Sequence, residues 1–143
     1  MPSALVLAAE AIGIRQITYR QENAGGAMAD GYARVSGKVG MMLLAQNGPA
    51  ATLLVAPLAE AFKASVPLLA IIQEVERPQV HRNAFQELDH IALFQSCAKY
   101  VRRVDQCRAG RSTTSMLRLL RRPAAAPDRR YCCCRPTCCA SRR

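Results

Sequence analysis

Apolar and polar positions change their period several times along the chain. Ala4 to Ile12 (ALVLAAEAI) is rich in helix formers and stops at Gly13, a residue suited to a left-handed cap, so a helix is expected there. Ile14 to Arg20 then alternates imperfectly, and Ile14, Ile17, Thr18 and Tyr19 supply the β-branched and aromatic enrichment of a strand. From Asn23 to Ser36 the residues Ala24, Ala27, Met28, Gly31 and Tyr32 recur at helical spacing, ending at Gly37, which predicts a closely packing helix. Val39 to Ala45 (VGMMLLA) is apolar throughout, as suits a strand covered on both faces. Gln46 to Pro49 reads as a turn, with Pro49 as the first residue of a helix over Ala50 to Ala64. Ser65 leads into a second buried strand, VPLLAII. Glu74 to Asn83 reads as a polar loop, Ala84 to Cys97 as a moderately amphipathic helix and Tyr100 to Val104 as a short strand.

Strands and helices thus alternate through short connections, which predicts an α/β domain: a parallel sheet flanked by helices and joined by right-handed crossovers. No internal repeat is visible. At 143 residues the chain is one domain long.

Charge divides this picture in two. Residues 1–104 carry ten Lys/Arg against eight Asp/Glu, a net of +2, whereas residues 105–143 carry ten Arg against two Asp, a net of +8. Six of the seven cysteines (Cys107, Cys132, Cys133, Cys134, Cys138 and Cys139) also lie in that last stretch, so the basic character belongs to a tail. No apolar run reaches the roughly 20 residues of a membrane-spanning helix, and no Lys/Arg precedes the first apolar stretch as in a secretory signal. A cytoplasmic, reducing compartment with no membrane partner is therefore expected, where seven cysteines do not form a disulfide framework.

The residue with most chemical promise is Glu22, where the alternating run gives way to the small-residue helix. A carboxylate in a first helical turn is favoured by the macrodipole alone, by about 0.3–1 kcal/mol, and that reading stays open. The residues around Glu22 form a larger pattern. A strand, Glu22, a helix containing MADGYAR (Met28 to Arg34) and Gly37, the strand VGMMLLA, Asn47-Gly48-Pro49, a helix, the strand VPLLAI and AFQELD (Ala84 to Asp89) follow one another. This succession resembles the N-terminal pyrimidine-binding domain of thiamine-diphosphate enzymes of the acetolactate synthase and benzoylformate decarboxylase group. The likeness runs from residue 1 to about residue 105.

The resemblance implies the fold of that domain and a 2-keto-acid decarboxylase or carboligase activity, as a lyase or transferase. It implies that Glu22 hydrogen-bonds the N1′ nitrogen of the cofactor's aminopyrimidine. Holding a proton there favours the imino tautomer, whose 4′ nitrogen can remove the thiazolium C2 proton. Ala24, Gly25, Gly26 and Leu44 would desolvate the carboxyl, and the small residues would let a flat ring approach. Asn47, Gly48 and Pro49 correspond to a Ser-Gly-Pro-Gly loop lining that ring, and Phe85 and Gln86 to positions on the substrate side near a neighbouring subunit. Taken alone, the first trio is equally an ordinary strand-to-helix turn and the second a helix start with a core aromatic. Gln21, Ala24, Ala50 and Leu53 depart from the synthase pattern, so the substrate is left as a 2-keto acid.

Relatives hold the diphosphate and its Mg²⁺ in a separate domain through a Gly-Asp-Gly motif, which this sequence lacks. Thiamine diphosphate is therefore expected to meet this chain by its aminopyrimidine half only, with no metal ligand here. Such sites lie between subunits, so a homodimer or a complementing chain with the diphosphate half is expected, and no turnover without it. Met1-Pro2-Ser3 resembles the remnant of a Gly-x-Pro loop, which implies a domain incomplete at both ends, spanning residues 1–105.

Residues 106–143 are expected to form an irregular, disordered Arg/Cys-rich tail. Read one base out of phase, Ala124 to Cys139 can spell an apolar strand like the last one of the related domains, so a frameshift near Gln106 or Cys107 is one explanation, testable on the nucleotide sequence. Adjacent cysteines without C-x2-C spacing make a poor zinc cage. An Arg-rich tail binding nucleic acid is the alternative function, disfavoured against a solvated appendage. His81 and His90 are expected as a loop residue and a helix-surface residue, not as ligands.

Overall fold

A computed structural model describes residues 3–104 and 130–134, with backbone only at 3–5, 43–45, 104 and 130–134. Helix α1 (Ser3–Ala11) ends as the composition predicts. Gly13 takes φ +77° and donates its N–H to Glu10 O, while Ile14 N–H reaches Ala9 O, a Schellman cap. Helix α2 (Glu22–Ser36) likewise stops at Gly37, whose φ is +67° and whose N–H returns to Ala33 O.

Between these helices, residues 14–20 form no strand, contrary to the alternation. A strand exists through its ladder, and among the described residues this run pairs with none. Ile14 and Ile17 are exposed, and Tyr19 alone turns inward against the core.

Strand β1 (Gly40–Ala45) pairs in parallel with β2 (Leu68–Gln73), and the register slips at Leu44, a bulge just before the turn that follows. β2 is buried along almost its whole length, as its unbroken apolar run requires. β1 departs from that rule: Met42 is buried while Met41 is 44% exposed, because β1 lies at the sheet edge. The four-stranded parallel sheet runs β1-β2-β4-β3, with β3 at Val101–Val104 and β4 at Arg130–Cys134. Part of the expected irregular tail is thus a regular central strand. The rest of the tail, with Cys107, Cys138 and Cys139, lies outside the described residues.

The helix expected over Ala50–Ala64 is two, α3 (Pro49–Thr52) and α4 (Val55–Lys63). Pro57 has no N–H to give Leu53 O, and its ring collides with that carbonyl in a continuous helix, so the chain breaks at Leu53 and Leu54. The helix expected over Ala84–Cys97 contracts to α5 (His90–Phe94). Asn83 and Gln86 adopt φ +52° and +62°, which ends any helix before them. Asp89 restarts it by accepting from the N–H groups of Ile91 and Ala92, both at 3.1 Å.

Helix α2 packs on β1 and α4 through its smallest residues. A Cβ on Gly26 would stand 2.6 Å from Pro57 Cγ, and one on Gly40 would collide with the Ala29 carbonyl. Leu54, Leu58, Leu68, Ile72 and Phe94 fill the core between sheet and helices. Opposite contacts order the pair: Gly25 lies over Met42, and Ala29 over Gly40. Helix and strand are therefore antiparallel, and the start of α2 stands at the carboxyl end of β1.

Candidate functional site

In parallel α/β sheets, ligands gather outside the carboxyl ends of the strands. Glu22 opens α2 on that edge, with Gln46 to Pro49 leaving β1 beside it. Glu22 is half-buried, Gly25 and Gly26 behind it are buried, and Ala24 is exposed; the Leu44 side chain lies outside the described residues. Among the described residues no hydrogen bond or ion pair engages the Glu22 carboxylate. It does act electrostatically on Tyr19, whose hydroxyl is pushed above its ordinary value by burial first and by the Glu22 charge second. Glu22 is thus a half-buried carboxylate at the carboxyl edge of the sheet, backed by two buried glycines.

The turn that follows β1 is built more tightly. Asn47 and Gly48 are buried. Asn47 Nδ2 donates to Gln86 O at 3.2 Å, and Gln46 Nε2 donates to Gln86 Oε1 at 3.1 Å. Gly48 has φ +67°, and a Cβ there would meet Gln86 O at 2.6 Å, so a side chain is excluded by conformation and by contact. Three of the sequence-predicted residues, Asn47, Gly48 and Gln86, are thus brought together. Pro49 starts α3 beside them, exposed. Phe85 is 85% exposed and stands apart from this cluster, not in the core.

Behind the turn lies a group the sequence reading missed. His90, expected on a helix surface, is 1% exposed, and its Nε2 accepts the Gly48 N–H at 3.1 Å. The short helix starting at Asp89 turns this side chain inward. Its Nδ1 faces Glu74 Oε1 at 3.6 Å. Glu74, just past β2, is held by Arg103 from β3, with Nε 2.6 Å from Oε2 and Nη2 2.9 Å from Oε1. Burial raises the Glu74 carboxyl, but the facing His90 and the hydrogen bonding and charge of Arg103 outweigh it, so the group sits below its ordinary value. Asn47, Glu74, Gln86, His90 and Arg103 border a cavity of about 20 Å³, room for one water. A carboxylate directly after a buried strand was the one available signal, because residues 29 positions apart carry no local period.

Residues 2–93 match the family model described as thiamine pyrophosphate enzyme, N-terminal TPP binding domain. The chain belongs to this family. Its relatives include the mitochondrial acetolactate synthase catalytic subunit of Saccharomyces cerevisiae, 40% identical over 81 residues, covering 57% of this chain and 12% of the relative. The acetolactate synthase isozyme 2 large subunit of Escherichia coli is 39% identical over 88 residues, covering 62% of this chain and 16% of the relative. An acetolactate synthase of Arthrospira platensis is 48% identical over 87 residues, covering 61% and 15%. The chain thus matches less than a fifth of the length of these relatives. The TPP-binding family match covers Glu22, the Asn47 turn, Phe85, Gln86 and His90, and it stops before Arg103. It lies wholly outside the basic tail, and the nucleic-acid alternative finds no support. Among the described residues no helix is long and apolar enough to cross a membrane.

Proposed function

We propose that this chain supplies the aminopyrimidine half of a thiamine-diphosphate site in an acetolactate synthase-like enzyme acting on a 2-keto acid. The observation that carries the reading is the Glu22 carboxyl: half-buried, free of protein hydrogen bonds among the described residues, and at the carboxyl edge of the sheet. The cofactor, when bound, supplies the carbon nucleophile that adds to a keto group. Glu22 holds a proton at the ring's N1′. Asn47, Gly48 and Pro49 form the wall beside the ring, stiffened by Gln86, and the exposed Phe85 is assigned to the substrate side.

The diphosphate and Mg²⁺ are held by a polypeptide segment outside these 143 residues, which contain no Gly-Asp-Gly. A second chain, the same or complementing, fits the exposed apolar side chains: Met28, Tyr32 and Val35 form a stripe on α2, with Val35 92% exposed. By itself the chain turns over no keto acid.

The test is ligand titration of the 143-residue chain with thiamine, followed by NMR shift changes at the amides of residues 22–26 and 46–49. A hydrogen bond to a charged group contributes about 1.5–3 kcal/mol, so Glu22→Gln weakens binding by about ten- to a hundredfold with the fold unchanged. Equal affinity in wild type and Glu22→Gln would refute the assignment.

A further inference from the structure

We propose that His90 is a positioning residue that secures the Asn47-Gly48-Pro49 turn only as the neutral imidazole protonated on Nδ1, making the turn a pH-responsive clamp. Its role goes beyond the cofactor reading and stands without it. The Gly48 N–H donates to Nε2 at 3.1 Å, so that nitrogen must keep its lone pair. The single proton of the neutral ring is then on Nδ1, which faces Glu74 Oε1. Glu74 is locked as a carboxylate by two Arg103 contacts, so what it presents to Nδ1 is an acceptor, and it selects this tautomer.

Besides the imidazole, the turn is held by Gln86 and by Thr52 at the end of α3. Gly48 has no side chain and tolerates none, and its amide is buried. On the opposite side Gln86 takes φ +62° and receives the Asn47 amide group, so the turn is gripped between Gln86 and the imidazole. Protonating Nε2 puts N–H against N–H between two buried groups, and the grip on that side is lost. Among the described residues the charged groups lining the cavity beside the ring are Glu74 after β2, Arg103 on β3 and Glu87 in the loop before α5; the Phe94 ring stands 6.4 Å away on α5. Glu74 favours the added charge and Arg103 opposes it.

The decisive experiment is ¹⁵N NMR of the full 143-residue chain across roughly pH 5–8. Near pH 8, His90 Nε2 is expected as an unprotonated ring nitrogen, scalar-coupled across the hydrogen bond to the Gly48 amide nitrogen. As His90 titrates, the coupling disappears. Gly48 exchange, corrected for its intrinsic rate, accelerates at least tenfold while the amides of β2 stay protected. His90→Gln keeps an acceptor at the same reach, so protection persists and its pH dependence vanishes, whereas His90→Leu loses it at every pH. An Nε2-protonated ring at pH 8 overturns the proposal, as does Gly48 exchange that ignores the His90 titration. Should His90→Leu not fold, the wild-type measurement still decides. No thiamine is present, so failure here leaves the Glu22 reading intact, and the reverse holds too.

Discussion

Glu22 and His90 stand near the same sheet edge, but their surroundings assign them opposite work. Among the described residues no hydrogen bond or ion pair engages the Glu22 carboxylate, whereas both His90 nitrogens face groups of the chain, one accepting from Gly48 and the other turned to Glu74. Glycine at position 48 is required on two grounds, its left-handed φ and the Gln86 backbone where a Cβ would go. Gly48→Ala is accordingly expected to destabilise the fold by about 2–3 kcal/mol, combining backbone strain with a forced shift of Gln86. Thermal unfolding checks it: the midpoint should fall by on the order of 10 °C for a domain of this size. A fall no larger than that of an exposed Gly31→Ala control would contradict the packing described here. Gly48 was legible in the sequence as part of a turn, but its dependence on Gln86 was not.

Among the elements, those whose ends carry their own chemistry were legible. Gly13 and Gly37 cap α1 and α2 as expected, because a left-handed cap depends only on adjacent residues. Periodicity misled where a local breaker or a distant partner intervened. Pro57 splits one expected helix, and the left-handed Gln86, pinned by Asn47, removes the first half of another. The five-residue α5 owes its start to Asp89, whose carboxylate takes two backbone N–H groups. Asp89→Ala should cost about 1 kcal/mol, measurable by urea denaturation, whereas Asp89→Asn or Asp89→Ser should restore most of it. Because α5 aims His90, Asp89→Ala should also loosen the Gly48 amide in hydrogen exchange. Unchanged exchange there would show that the imidazole is held by Glu74 alone.

For the whole molecule, Glu74, His90 and Arg103 tie the end of β2, helix α5 and β3 together at one point. The lowered Glu74 carboxyl makes this tie depend on pH with a definite sign. Unfolded chains bind its proton more readily, so its contribution is complete above the ordinary value of 4.5 and is lost as pH falls through the lower folded value. Glu87 adds a dependence of the same sign, since the His81 and Ala84 N–H groups hold its carboxyl down. The Glu74 and Glu87 contributions, read from denaturant midpoints, should therefore be complete above pH 4.5 and decline below it. Arg103→Leu should flatten that decline and lower stability at neutral pH, by less than the roughly 3–5 kcal/mol of a fully buried pair because Arg103 is one quarter exposed. An acid decline as steep in Arg103→Leu as in wild type would remove Glu74 from this role. The same scale shows why the sheet order escaped the sequence: β4 is the last of the described strands along the chain yet lies between β2 and β3.

By itself the sequence determined an α/β domain with its two glycine-capped helices, the buried apolar β2, the Gln46 to Pro49 turn, and Glu22 at the start of a small-residue helix. Each of these follows from residues within a turn or two of one another, where helix and strand periods and backbone sterics act. Only the tertiary structure decided that residues 14–20 pair with no strand among the described residues, that β4 enters the centre of the sheet, and that Glu74, His90, Arg103 and Gln86 converge behind Gly48. Those outcomes depend on contacts between distant segments competing for the same buried space, and no local pattern of side chains encodes who wins.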